Sequence, residues 1–365
     1  MPNSAFSFYL DITRALAAFA VVLYHFSHPL FTGGRYQAFH DLGLGPDAVI
    51  AFFVMSGFLI AFRVDTKNKT IATFTLSRLT RLVSVLLPAL ILGFIIDRSG
   101  AQLFPESYES VSYDPTTLFQ QLFRGLTFST EWYWDPIRLG TNVPLWSLSY
   151  EVAYYAAFAI AVFLRGHLRI MLMLGLCLLV GPNIVLLFPC WYMGVWLYHQ
   201  VAEESFERRP FYLMLIPVVG YVLAQLVQLP EALLFLTAHV LSIEVFAQLR
   251  FSANFVWQLT VAMLFTAHLL ALYHWCRNLR IVEGPLVNVT KFLARASFPV
   301  YVLHFPVMYF TQASLEAHSQ GLGRDLILLG MTLATCIVLA ALIEWCIRWQ
   351  GRVLRRITRR NEISV

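Results

Sequence analysis

Charge is what this sequence has least of. Asp, Glu, Lys and Arg make up 13% of its 365 residues, against roughly a quarter in a typical soluble domain, and 58% of the chain is hydrophobic. That balance excludes an ordinary soluble globule. Cysteine is scarce as well. Cys177, Cys190, Cys276, Cys336 and Cys346 are scattered through mostly apolar runs with no C-x-x-C pair, which argues for buried thiols over a disulfide framework or a metal centre. Tandem repeats, low-complexity tracts and flexible linkers are also missing. The chain therefore reads as one transmembrane domain over 1–350 with a basic cytoplasmic tail over 351–365. The net charge of +5 does not call for nucleic acid, because the basic residues collect beside apolar runs as the positive-inside bias requires.

What is present is a succession of apolar runs of about 17–25 residues, each able to cross a ~30 Å hydrocarbon layer as a helix. The first is long, interrupted by polar groups and without a small-residue cleavage pattern, so it reads as a span and not a signal peptide. The expected fold is all-α, a polytopic bundle of about ten spans in the cell's inner (plasma) membrane. The spans fall near 6–28, 46–62, 80–97, 147–164, 168–183, 185–200, 211–228, 254–273, 296–317 and 324–347.

Loop charge orients them. Residues 63–81 carry Arg63, Lys67, Lys69, Arg78 and Arg81 against Asp65, and the end of the chain carries Arg348, Arg352, Arg355, Arg356, Arg359 and Arg360. Both stretches belong to the cytoplasm. Residues 99–146 hold Glu106, Glu109, Asp114, Glu131 and Asp135 against Arg124 and Arg138, which suits an external loop. Both termini are then cytoplasmic. The apolar segment 230–250 is read as an interfacial or re-entrant helix, since an eleventh span would place Arg277, Arg280, Lys291 and Arg295 outside.

Polar residues inside the spans carry the functional signal, because a charge near the bilayer centre costs roughly 2.5–3.5 kcal/mol even on lenient insertion scales. In FYLDITRALAAFAVVLYHFSH, Arg14 and His25 are eleven positions apart, so they share a helix face about 20° wide and differ by ~16 Å in depth. Asp11 lies one turn before Arg14 and can pair with it. A polar stripe facing a cavity and a juxtamembrane salt bridge with a headgroup-level histidine both fit this helix. Arg78 and Arg81, at i and i+3, form a fork suited to phosphate, or they only fix topology. Glu151 stands about one turn inside its span at a depth expected to match His25, for which it is a plausible partner. His304, between Pro299 and Pro306, is either a site residue or a structural ring bonded to backbone freed by proline. Trp132, Tyr133 and Trp134 can stack on sugar or form an interfacial belt.

Six stretches, DITRALAAFAVVLYH, AFFVMSGFLI, SRLTRLVSVLLPAL, PLWSLSYEVAYY, FPCWYMGVWLY and ASFPVYVLHFPV, together resemble the acyltransferase 3 family of integral membrane O-acyltransferases. The resemblance covers most of the chain. It implies transfer of an acetyl or other short acyl group from cytosolic acyl-CoA to a hydroxyl, often on a sugar of an envelope or exported glycan. The essential arginine and histidine of the family's first helix fall on Arg14 and His25, and its R-x-x-R pair on Arg78 and Arg81. Where many members read S-L-x-x-E-E, this chain keeps Glu151 and then has Val152. Many relatives carry a further periplasmic domain. Here the chain ends after the tenth span, so the acceptor is expected to come from solution, a lipid carrier or a partner protein.

The expected mechanism places the phosphates of acetyl-CoA on Arg78 and Arg81. Arg14 lines the path of the pantetheine arm, His25 is general base and Glu151 orients its ring. Asp11, Trp146 and His304 are expected on the substrate side. The thioester brings its own activated carbonyl, so no metal is required. The alternative is a transporter or flippase for a lipid-linked glycan, with the same charges lining its path.

Overall fold

The computed structural model describes residues 4–67, 70–109, 113, 115–203 and 211–362, with side chains through Arg348. Lys69, Asp114 and the side chains of Arg352, Arg355, Arg356, Arg359 and Arg360, all used above to orient the chain, lie outside the described residues. Among the described residues the chain is helical, without strands. The long helices are α1 (Ser4–Phe26), α2 (Leu44–Thr66), α3 (Ile71–Leu103), α4 (Trp146–Phe163), α5 (Gly166–Val180), α6 (Phe188–Ala202), α7 (Tyr212–Leu226), α8 (Leu229–Val240), α9 (Phe255–Cys276), α10 (Pro285–Ser314) and α11 (Leu322–Glu362).

Each of the ten expected spans coincides with one of these helices. Seven helical stretches among the described residues are long and apolar enough to cross a membrane, or up to eight if the bent pair α7 and α8 counts as one. α5 falls short of that standard at 15 residues. α10 is mostly buried from Ala296 to Ala313, including Tyr301, His304 and Tyr309, while Leu286, Val289 and Leu293 near its start are exposed. The segment expected to be interfacial or re-entrant becomes two short helices, α8 and Ile243–Leu249. α8 turns away from α7 by 64° at Gln228, whose backbone is left-handed (φ 56°). α11 runs unbroken through Glu362.

Packing follows from where bulk is missing. α2 and α6 touch backbone to backbone through Gly57 and Gly194. A methyl at Gly57 would stand 2.2 Å from the Trp191 carbonyl oxygen, and one at Gly194 would stand 1.9 Å from that of Val54. Small residues at such a crossing let dispersion and weak backbone contacts replace the hydrophobic drive that lipid does not supply. α1 lies between α10 and α2, and α10 packs also on α3 and α11. The two helices carrying the expected histidines are therefore direct neighbours.

The run 127–145, expected as an external loop, is folded into the bundle. Phe128, Ser129, Thr130, Glu131, Leu139, Thr141, Asn142 and Leu145 are all buried. Asp97 near the end of α3 holds it down, accepting from the backbone N–H of Thr141 at 2.8 Å and its hydroxyl at 2.7 Å.

Candidate active site

Pro306 shapes the centre of the site. Proline has no N–H, so the carbonyl four residues earlier in an α-helix loses its partner, and here that carbonyl belongs to Val302. Asn142, from the folded-in run, fills the gap: its Nδ2 donates to the Val302 oxygen at 2.8 Å. One residue earlier, the Tyr301 carbonyl takes a hydrogen bond from His304 Nδ1 at 2.8 Å, and the Val300 carbonyl lies 3.2 Å from the same nitrogen. Tyr301 is tied down in turn. Its hydroxyl donates to the Pro144 carbonyl at 2.9 Å and accepts from Ser147 at 2.8 Å.

These contacts decide where the protons sit. A carbonyl oxygen only accepts, so His304 Nδ1 carries the hydrogen and a neutral His304 has its lone pair on Nε2. His25 Nδ1 lies 2.9 Å from that nitrogen, so His25 donates from Nδ1. Among the described residues its Nε2 makes no side-chain hydrogen bond, and it keeps its lone pair. A backbone carbonyl thus fixes the tautomer of one buried ring, which fixes the tautomer of the next.

Glu151 does not take the place expected for it. Its Oε1 accepts from Ser56 Oγ at 2.6 Å and from the Tyr155 hydroxyl, and the ring that meets His25 belongs to His304. Ser56 stands in the middle of α2, so the second turn of α4 faces mid-bundle α2 instead of the His25 end of α1.

At the other end of the bundle the structure brings together four arginines from three helices. Arg14 on α1 lies within electrostatic reach of Arg81 and Arg63, and Arg63 and Arg78 in turn of Arg81. Arg78 is buried, 4% exposed, and its described hydrogen bond goes to the neutral Ser77 hydroxyl at 3.2 Å. The nearest carboxylate of Asp11 stands 3.9 Å from Arg14, at the outer limit of an ion pair. Among the described residues, Arg63, Arg78 and Arg81 have no carboxylate salt-bridge partner. Glu151 lies within electrostatic reach of Arg78 and Asp11 of Arg14, two acids against four arginines, so the cluster is suited to a further anion. Arg63 was legible only as a topology charge, and Ser56 and Tyr155 carried no signal of their own.

A polar seam links the two ends. Arg81 and Arg14 act on Tyr155, Tyr155 bonds to Glu151, and Glu151 acts on Tyr301, the anchor of His304. Trp146 stands beside this seam, stacked on Phe251 with ring centroids 4.4 Å apart and planes 7° from parallel.

The acyltransferase-domain model of the acyltransferase 3 family matches residues 7–342. The chain belongs to this acyltransferase family. Among curated relatives it is 30% identical over 150 residues to "Acyltransferase MdmB" of Streptomyces mycarofaciens, covering 40% of this chain and 36% of that one. It is 29% identical over 139 residues to "Exopolysaccharide production protein ExoZ" of Rhizobium meliloti (strain 1021), covering 38% and 41%. The matched regions thus span well under half the length of these relatives. No solved structure matches. All the site residues described above, from Arg14 to His304, fall within the stretch matched by the acyltransferase family.

Proposed function

We propose that this protein is an inner-membrane O-acyltransferase that moves an acetyl or other short acyl group from cytosolic acyl-CoA to a hydroxyl of a cell-envelope or exported glycan. The observation that carries the reading is the tautomer relay ending on the lone pair of His25 Nε2. A second observation supports the donor. The arginine cluster is short of negative charge, and the positive-inside bias puts that end in the cytoplasm, where acyl-CoA is found.

In this scheme the phosphates of the carrier occupy the cluster of Arg14, Arg63, Arg78 and Arg81, and the pantetheine arm follows the seam past Tyr155 and Glu151. His25 Nε2 takes the proton of the acceptor hydroxyl as its oxygen attacks the thioester carbonyl. The carbon–sulfur bond then breaks, and the departing thiolate takes that proton back from the imidazolium. While the imidazolium exists, its Nδ1–H donates to the His304 lone pair, which orients the ring as the carboxylate does in a serine-protease triad but brings no negative charge.

The test is His25→Ala, purified into nanodiscs and supplied with radiolabelled acetyl-CoA and a glycan extract of the producing cell. Loss of a general base should cut transfer by about 10²-fold or more without changing expression or elution in detergent. Near-normal transfer would remove His25 from the chemistry.

A further inference from the structure

His25 stands in the last turn of α1, so the chain that leaves this helix passes beside the imidazoles, at the end of the bundle opposite the arginines. Its first piece is fixed. In the short helix Pro29–Thr32 the buried Phe31 ring packs on Phe305, which also meets the His25 ring (centroids 5.6 and 5.0 Å apart), and the Phe31 carbonyl accepts from Arg324 Nη1 at 3.0 Å. The next piece, residues 35–42, is held differently. Gly33 and Gly34 precede it and Gly43 follows it, all three left-handed (φ 61°, 83° and 63°), a conformation that glycine enters and leaves at no steric cost. Between those hinges no residue is buried.

Three hydrogen bonds tie residues 35–42 to the bundle. Arg35 Nη1 donates to Asp325 Oδ2 at the start of α11 at 2.6 Å, His40 Nδ1 to the Tyr24 carbonyl at 3.0 Å, and Gln225 Nε2 to the Leu42 carbonyl at 3.2 Å. Ring contacts add to them: Tyr36 lies against Phe26, and His40 stacks on Tyr24 with centroids 4.2 Å apart and planes 17° from parallel. Tyr24 in turn meets the His25 ring edge-on at 5.2 Å, and His40 is within electrostatic reach of His25. A segment that buries no side chain opens locally at small cost, so these few links decide its position. The Arg35 bond is the strongest, being charge-assisted to a carboxylate that is 1% exposed and otherwise has Arg324 at 3.7 Å.

We propose that residues 35–42 are a hinged flap beside His25, latched by the Arg35–Asp325 pair, that opens to admit the acceptor and closes to keep water from the thioester. The inference rests on the acyl-transfer reading above. Water is itself an acceptor: its oxygen bonds to the acyl carbon as the carbon–sulfur bond breaks, and one of its protons passes to the departing thiolate, so that free acid and CoA thiol leave without transfer. A site that holds a bound thioester next to a general base must exclude it. Glycine hinges at both ends let the flap swing as a unit, while Phe31 and Arg324 keep the Pro29–Thr32 helix in place.

The experiment uses the full chain in nanodiscs and reads His25 directly, as the rate at which diethyl pyrocarbonate modifies it, followed by peptide mass. Arg35→Ala should raise that rate by about 10-fold or more, the value of one charge-assisted hydrogen bond, and Arg35→Lys should stay near the natural rate. The buried His268 should not change, and a parallel rise there would mean general loosening and overturn the flap. In a Cys346→Ser background, Arg35→Cys and Asp325→Cys joined by a bis-methanethiosulfonate should protect His25 until the bridge is reduced. Arg35 is exposed, so its variants decide the matter even if Asp325→Cys fails to fold. With radiolabelled acetyl-CoA and the glycan extract, Arg35→Ala should also raise hydrolysis relative to transfer by about 10-fold. Modification of His25 that ignores the latch overturns the flap and leaves acyl transfer standing. Modification that follows the latch, in a protein without acetyl-CoA-dependent product, keeps the hinged flap and overturns acyl transfer, and with it the exclusion of water.

Discussion

His25 Nδ1 lies 2.9 Å from His304 Nε2, and His304 Nδ1 faces the Tyr301 carbonyl at 2.8 Å. His304 therefore acts through His25 as a positioning residue. Removing it should free the His25 ring to rotate and to place its proton on the wrong nitrogen. His304→Ala is expected to lower kcat by up to about 10²- to 10⁴-fold, the range that a positioned general base is worth, with little change in the acetyl-CoA KM. His304→Gln offers an amide oxygen to His25 Nδ1–H and should recover part of the loss. A purely structural role would give no such rescue, and both variants would fall together.

Arg78, 4% exposed, belongs to a cluster of four arginines that has two acids, Glu151 and Asp11, within electrostatic reach. Arg78→Ala and Arg63→Ala should each weaken acyl-CoA binding by about 10-fold or more, since a charge-assisted hydrogen bond is worth about 1.5–3 kcal/mol, with a smaller effect on kcat. Arg78→Lys should restore only part of the affinity, because an ammonium cannot reproduce the planar fork. Calorimetry with CoA and with dephospho-CoA checks the assignment. Equal loss for both ligands would place the variant residue away from the phosphate that distinguishes them, and no loss for either would reject the dock.

Arg14 and His25 were legible in the sequence because a helix fixes the relation between positions eleven apart, and because charge in a span has a cost that demands a reason. The ten helices were legible for a similar reason: length and apolarity are local. What joins the histidines was not. A count along one span puts Glu151 about a turn inside its end, and α4 begins where that count has it, but the count does not say which neighbouring helix the turn faces. The run 127–145 leading into α4 has acids and aromatics that read as part of an external loop. Its burial depends on partners far away in sequence, such as Asp97 with Thr141 and Asn142 with Val302. Arg63 was visible as a charge, but its convergence with Arg14 and Arg81 is a property of three helices at once.

Glu131 gives the molecule a pH dependence of stability with a definite sign. Burial pushes its carboxyl from 4.5 up to about 7, while Arg250 and Arg138 pull it down. Between those two values the folded protein holds a proton that the unfolded chain has released, so stability should fall as pH rises through that window. The effect has an upper bound of about 3 kcal/mol. Glu131→Gln keeps the shape without the titration, and its apparent unfolding temperature in nanodiscs should be flatter over the same window. Parallel curves for the two proteins would show that Glu131 is not the group responsible.

The Val302 carbonyl has one vacancy and two possible donors, and the choice between them couples helix stability to the site. Pro306 leaves the carbonyl to Asn142. In Pro306→Ala the new backbone N–H competes for it, and proline inside a helix costs about 3 kcal/mol relative to alanine, so the helix should close its own bond and the variant should be at least as heat-resistant as the natural protein. Asn142 would then lose its hydrogen bond to α10, and the folded-in run would shift against the turn that carries Tyr301 and His304. Displacement of about 1 Å near reacting groups can cost on the order of 10²-fold. The expected signature is a protein of equal or higher unfolding temperature whose transfer rate falls at least about 10-fold. Unchanged transfer would mean that the Asn142–Val302 bond only fills space, and that the kink at Pro306 serves packing alone.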